Sequence, residues 1–144
     1  MIRIHIHSRD RAELLPFFKL ADESESEIQS YYTLGEALVA VDGDKIVGMA
    51  QVEEDGDTVQ IISLAVTETR QGQGIGSQLI AASLEYSRKV GAKRLIVCTA
   101  AWEAENTAFY SRRGFRLFHV EPGFFTPEKG YAELGDQVQF EIKI

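Results

Sequence analysis

The chain has 144 residues, enough to bury a substantial core and within the length of a single domain spanning residues 1–144. Its composition is that of a soluble globular protein: no apolar run approaches the ~20 residues of a membrane span, and a net charge of -7 argues against a nucleic-acid partner. One cysteine, Cys98, excludes an internal disulfide framework and makes a reducing cytoplasm the simplest compartment.

The start, Met1-Ile2-Arg3-Ile4-His5, lacks the pattern of a signal peptide. Ile2, Ile4 and Ile6 alternate with Arg3, His5 and His7, which predicts a half-buried first strand with its histidines toward solvent. No third ligand stands near His5 and His7, and no metal site is read. Asp10-Arg11-Ala12-Glu13 has the form of a capping box opening a helix, in which Pro16 predicts a kink or restart. The acid-rich segment from Asp22 to Thr33 carries Ile28, Tyr31 and Tyr32 at helical spacing and stops at Gly35. Glu36 to Val41 and Lys45 to Val52 read as strands joined at Asp42-Gly43-Asp44, and Asp55-Gly56-Asp57 turns the chain into Thr58 to Val66. Connections this short predict an antiparallel meander.

Where that third strand ends, Gln71-Gly72-Gln73-Gly74-Ile75-Gly76 opens an amphipathic helix from Ile75 to Val90. Its apolar face carries Ile75, Leu79, Ile80, Ala82, Ser83 and Tyr86, and Gly91 stops it. Glycines let the backbone approach a ligand with its N–H groups unscreened by Cβ atoms. A helix beginning at the same point adds unpaired N–H groups and the positive end of its dipole, which together make a site suited to phosphates. A P-loop would need a lysine after the glycines and the dinucleotide fingerprint a glycine at Ser77; both are missing.

Arg94 to Thr99 is a continuous apolar strand, so the strand-helix-strand unit predicts a right-handed parallel crossover with Cys98 buried and inert. A further helix runs from about Glu105 to Arg113 and ends at Gly114. Phe115 to Val120 and Gln137 to Ile144 read as paired strands, separated by a long loop, Glu121 to Asp136, of the kind that forms binding loops or lids. Charge follows the same division. Residues 1–69 carry fourteen acids against five bases, residues 70–116 three against eight, and residues 117–144 five against two. The basic middle suits a polyphosphate ligand and the acidic flanks a cationic co-substrate.

Gln71, Gly74 and Gly76 match the Q/R-x-x-G-x-G/A signature of the GNAT N-acetyltransferase family, and Asn106, Ala108, Phe109, Tyr110, Gly114 and Phe115 resemble that family's second motif. In the second motif Asn106 and Ala108 stand closer to Phe109 than is commonest. The resemblance covers essentially the whole chain, and the ending around Glu121-Pro122-Gly123-Phe124-Phe125 is similar to small bacterial members. It implies an α/β (α+β) acyl-CoA N-acyltransferase fold: a mixed, mostly antiparallel sheet of about seven strands flanked by helices and splayed between strands 4 and 5. It further implies acetyl-CoA as co-substrate, no metal, and transfer of the acetyl group directly to a primary amine. Homodimers through sheet edges or C-terminal strands occur in such proteins, so a second copy of the chain is a candidate partner.

By the same resemblance, Gln71, Gly72, Gln73, Gly74, Ile75, Gly76 and Ser77 hold the CoA pyrophosphate. Leu64, Ala65 and Val66 pair with the pantetheine arm like an added strand, and an amide there stabilises the oxyanion. Asn106 and Phe109 flank the cofactor, and Tyr110 donates a proton to the leaving thiolate. A phenol with a pKa of ~10 is protonated at neutral pH, as that role requires. Glu27, Tyr31, Tyr32, Ser63 and Glu121 are candidate acceptor contacts. Histone-type members carry a glutamate base at the position of Gln60, six residues before Val66; an amide cannot serve. The base is therefore unassigned among Glu27, Glu36, His119, Glu121 and a water chain. Three functions follow: acetylation of a small-molecule amine, acetylation of a protein or peptide amine, and non-catalytic acetyl-CoA sensing.

Overall fold

In the computed structural model, which describes residues 1–144, each alternating segment pairs into one seven-stranded sheet of order β1-β2-β3-β4-β5-β7-β6. The strands are β1 (Ile2–Ile6), β2 (Glu36–Asp42), β3 (Lys45–Asp55), β4 (Thr58–Val66), β5 (Arg94–Ala100), β6 (Arg116–Phe125) and β7 (Gly135–Lys143). Every neighbour is antiparallel except β4 and β5. That parallel step needs a crossover, supplied by α3 (Ile75–Lys89). The β2–β3 and β3–β4 hairpins turn at Gly43 and Gly56, whose φ of +66° and +63° disfavour residues with a Cβ.

Two cores form because the sheet is covered on both faces. On one face α3 packs Ile75, Leu79 and Ile80 against Leu38, Ala50, Val59, Leu95 and Phe140. A side chain at Gly48 would crowd Leu79 Cδ1 at 3.1 Å, so the glycine lets α3 settle close to the sheet. On the other face α1 (Leu15–Ala21) and α2 (Glu25–Tyr31) set Leu14, Phe18 and Ile28 against Val39, Val41 and Met49. Helix α4 (Ala104–Arg112) adds Tyr110 to the core on the α3 side, beside Phe115 and Phe140.

Several boundaries differ from the sequence reading. Asp10 caps a 3-10 turn, Arg11–Leu14, by accepting from the Ala12 N–H at 3.0 Å. Pro16 lies in the first turn of the separate helix α1, where its missing N–H costs nothing. Helix α2 starts only after Ser24, whose hydroxyl accepts from the Glu27 N–H at 3.2 Å. His7 is buried, not solvent-facing, with Nε2 3.3 Å from the Asp10 carbonyl and 3.7 Å from Glu13.

The largest correction concerns the predicted loop Glu121 to Asp136. Strand β6 runs on to Phe125, because register shifts between Leu117 and His119 and between Glu121 and Phe125 absorb the Pro122-Gly123 interruption. What remains, residues 126–134, is a pinned strap. The hydroxyls of Ser24 and Ser26 donate to the Lys129 carbonyl, the Ala132 N–H donates to Glu23 Oε1 at 3.3 Å, and Tyr131 donates to Asp22 at 3.2 Å.

Candidate active site

Strands β4 and β5 pair over only four positions, from Thr58 with Arg94 to Ile61 with Val97. Beyond them the strands part, although β4 continues to Val66 and β5 to Ala100. The cause is local. Val52 of β3 faces Ile61 but Gln51 faces Ser63, so Ile62 is an extra residue, a bulge that bends β4 away. The β5-facing backbone edge of residues 62–66 is left without a strand partner.

A cleft of about 960 Å³ fills the gap. Leu64, Ala65 and Val66 form one wall, and Asn106, Phe109 and Tyr110 of α4 stand across from them. Its end is the turn into α3. Gly72 and Gly74 hold φ of +78° and +83°, and a Cβ at either would meet no atom within 4 Å, so their backbones lie open to the cleft. The first turn of α3 has neither a side-chain cap nor an acidic residue, which leaves its N–H groups and dipole uncompensated. Gln71 ties this turn to β4 by donating to the Val66 carbonyl at 3.1 Å.

Positive charge is fixed beside the same turn. Arg113 stacks 3.8 Å over the Phe109 ring and donates to Ser77 Oγ at 2.7 Å, and it lines the cleft. Arg70 also lines it, held by Asp42 at 3.0 Å and by Gln73 Oε1 at 3.0 Å; its hydrogen bond keeps the Asp42 carboxyl below the usual range. Open glycine amides, a bare helix N-terminus and two guanidinium groups make an anion cradle that fits a pyrophosphate.

Tyr110 lies deeper. Its ring packs edge-on to Phe109 and Phe115 at 5.4 and 5.7 Å, and it is only 7 % exposed. The hydroxyl has no hydrogen-bond partner in the protein, although Tyr110 lines the cleft. Burial, with a smaller contribution from neighbouring Cys98, pushes its pKa up to about 12. Cys98, expected to be buried, is half-buried and lines the cleft; the burial it has raises its thiol to about 11, so it stays protonated and weakly nucleophilic.

A second chamber, about 460 Å³, adjoins the cleft; Leu20, Ala21, Ile62, Cys98, Thr99 and Asn106 line both. The splay is thus a passage between two cavities. Asp22 and Glu23 of the α1–α2 turn and Glu27 of α2 border the chamber, together with Trp102, Phe125 and Tyr131. The Tyr31 and Tyr131 hydroxyls both donate to Asp22 Oδ2, at 2.7 and 3.2 Å. Burial first, then that carboxylate, holds both phenols protonated beyond their ordinary range.

Of the residues singled out in the sequence, Ser63, Leu64, Ala65, Val66, Gln71, Gly72, Gly74, Ile75, Gly76, Ser77, Asn106, Phe109 and Tyr110 converge on the cleft. Gln73 reaches it only through Arg70. Glu27 and Tyr31 line the chamber, as does Gln60. Tyr32 instead packs on Phe18, 6.2 Å away, in the smaller core. Glu121 pairs with His119 at 3.5 Å on exposed β6, and Glu36 begins β2; none of the three lines either cavity. Sequence reasoning missed Arg70 and Arg113 at the cleft and Asp22, Glu23, Trp102, Glu103, Tyr131 and Gln137 at the chamber. The concentration of aromatics between Glu121 and Asp136 was the one available signal for the chamber's far side.

Comparison with known proteins identifies the family and the fold. The model of the acetyltransferase (GNAT) family matches residues 6–115. An uncharacterized N-acetyltransferase of Bacillus subtilis, YvbK, is 30 % identical over 125 residues, covering 86 % of this chain and 81 % of that protein. A GNAT acetyltransferase from Elizabethkingia anophelis, solved with acetyl-CoA bound, superposes with a TM-score of 0.90 at 27 % identity, covering 99 % of this chain and 98 % of that one. A Bacillus subtilis acetyltransferase in complex with CoA gives 0.88 at 27 % identity, covering 100 % and 99 %. The chain belongs to the GNAT acetyltransferase family. It is an acetyl-CoA-dependent N-acetyltransferase, and its mixed seven-stranded sheet is the fold of that family.

Proposed function

We propose that the protein transfers the acetyl group of acetyl-CoA directly to the primary amine of a small molecule, with the cofactor in the cleft and the amine in the chamber. The observation that carries this reading is the junction of the two cavities at the β4–β5 splay, beside a buried tyrosine whose hydroxyl has no protein partner. The glycine turn and the first turn of α3 hold the pyrophosphate, with Arg113 and Arg70 adding charge. Pantetheine lies along Leu64 to Val66, whose unpaired edge supplies N–H and C=O groups as a neighbouring strand would.

Tyr110 is the general acid. Its raised pKa keeps it protonated, and a hydroxyl without a partner is free to donate to the departing thiolate. The amine must arrive neutral; deprotonating an alkylammonium of pKa ~10.4 at neutral pH costs roughly 4–5 kcal/mol. Of the carboxylates considered as bases, Glu27 alone lines the chamber, and it takes that proton directly or through water. A small acceptor is favoured over a protein because the strap is tied over the chamber, with Tyr131 and Tyr31 meeting on Asp22, where a peptide would need an open groove.

The test is thiol release from acetyl-CoA across a panel of small amines and peptides, with the product identified by mass. Small amines turning over faster than peptides support the reading. Peptide acetylation alone would reassign the acceptor, and binding of acetyl-CoA with no turnover of any amine would make this a sensing domain.

A further inference from the structure

The chamber's charge is unbalanced in a way that bears on the acceptor. Asp22, Glu23, Glu27 and Glu103 line it, against Lys19 as the only basic side chain. None of the four carboxylates forms an ion pair within the protein. They come from two sides: the first three from the end of α1 and from α2, and Glu103 from the turn between β5 and α4. Between them stand aromatic faces, with Trp102 and Phe125 at 5.2 Å and Phe125 and Tyr131 at 4.9 Å, surfaces that attract alkylammonium groups. Acetylation consumes one ammonium, which leaves most of this negative charge unanswered.

An independent feature is Gln137. It is only 9 % exposed and lines the chamber. Its Oε1 accepts from Gln139 Nε2 at 2.8 Å, while its own Nε2 donates to no protein atom. That nitrogen faces the chamber from a side chain held by Gln139, so it is available to a ligand oxygen.

Resting on the small-acceptor reading above, we propose that the acceptor is a short amine carrying a second positive charge, with a hydroxyl or carbonyl oxygen in reach of Gln137. One amine reaches the splay as the nucleophile. The other stays protonated among the carboxylates and fixes the register of the molecule.

The experiment compares kcat/KM for short linear diamines with the monoamine of equal carbon count, and diaminopropanol with propanediamine. At low ionic strength the best diamine is expected to exceed its monoamine by about tenfold or more, and salt to compress that ratio. E103Q, on an exposed turn with no side-chain partner, lowers the ratio, while Q137L removes the preference for the hydroxylated diamine. A ratio near one at every chain length, or a ratio unmoved by both E103Q and salt, overturns the second-charge proposal while leaving transfer to small amines intact. Turnover of peptides with every small amine inert overturns the small-acceptor reading as well. For chains that turn over slowly, calorimetric titration of the diamine into the protein–CoA complex reads the same preference as affinity.

Discussion

Tyr110→Phe separates chemistry from folding more cleanly than any other change in the cleft. The ring stays, and with it the packing on Phe109, Phe115 and Phe140 at 5.4, 5.7 and 6.1 Å. Only the hydroxyl goes, and it makes no hydrogen bond in the protein. The usual loss of about 0.5–1.5 kcal/mol for a broken internal bond therefore does not apply, and unfolding in denaturant should shift by less than about 0.5 kcal/mol. Acetyl-CoA binding, measured calorimetrically, should persist because the pyrophosphate cradle is untouched. Turnover should fall by about 10²–10⁴-fold, the worth of a positioned general acid. Because burial raises the group to about 12, the wild-type rate should show no alkaline decline from this residue below about pH 11. If Y110F turned over within a factor of about two of wild type with stability preserved, Tyr110 would be a packing residue and the assignment of the acid would fail.

Gly76→Val should weaken acetyl-CoA binding by about tenfold, measured by titration, because even a Cβ there would lie 3.1 Å from Phe109 Cζ and 4.0 Å from Val66 Cγ2; Gly76→Ala should keep most affinity. Cys98, at about 11, should alkylate roughly a hundredfold more slowly in the folded protein than in denaturant at neutral pH, followed by mass; equal rates would contradict the upward shift of its thiol. Stability should decline in alkali. Tyr110, Tyr31 and Tyr131 keep their protons more tightly folded than unfolded, so their contribution is complete below about pH 10, where free phenols titrate, and is lost as pH rises toward 12. Denaturant midpoints flat across that range would show that these phenols ionise without cost in the fold.

Legibility in the sequence followed the range of the interactions involved. Hairpins set by Gly43 and Gly56, the crossover helix and the glycine turn are encoded within a few residues, and they form as read. The bulge at Ile62 was not legible because the apolar run Val59 to Val66 fits either register; only pairing against Gln51 and Val52 shows the extra residue. Pro122 and Gly123 hid the continuation of β6, since an edge strand tolerates both at a bulge. Tyr31 and Tyr32 are adjacent, yet only Tyr31 turns toward the chamber, because successive helical residues face different sides. Asp22 and Tyr131 meet across 109 residues, and no local pattern announces such a contact. The glycine turn was thus readable from a few consecutive residues, while the chamber is assembled from segments far apart in the chain.

Acetyl-CoA and the amine are proposed to meet at the β4–β5 splay. A crystal structure with CoA and an acceptor amine tests it most directly. The pyrophosphate is expected on the Gly72 to Gly76 turn, the thiol within hydrogen-bond reach of the Tyr110 hydroxyl, and the amine entering past Ile62 from the chamber bordered by Asp22 and Tyr131. A thiol directed away from Tyr110, or an amine approaching from any other side, would contradict it.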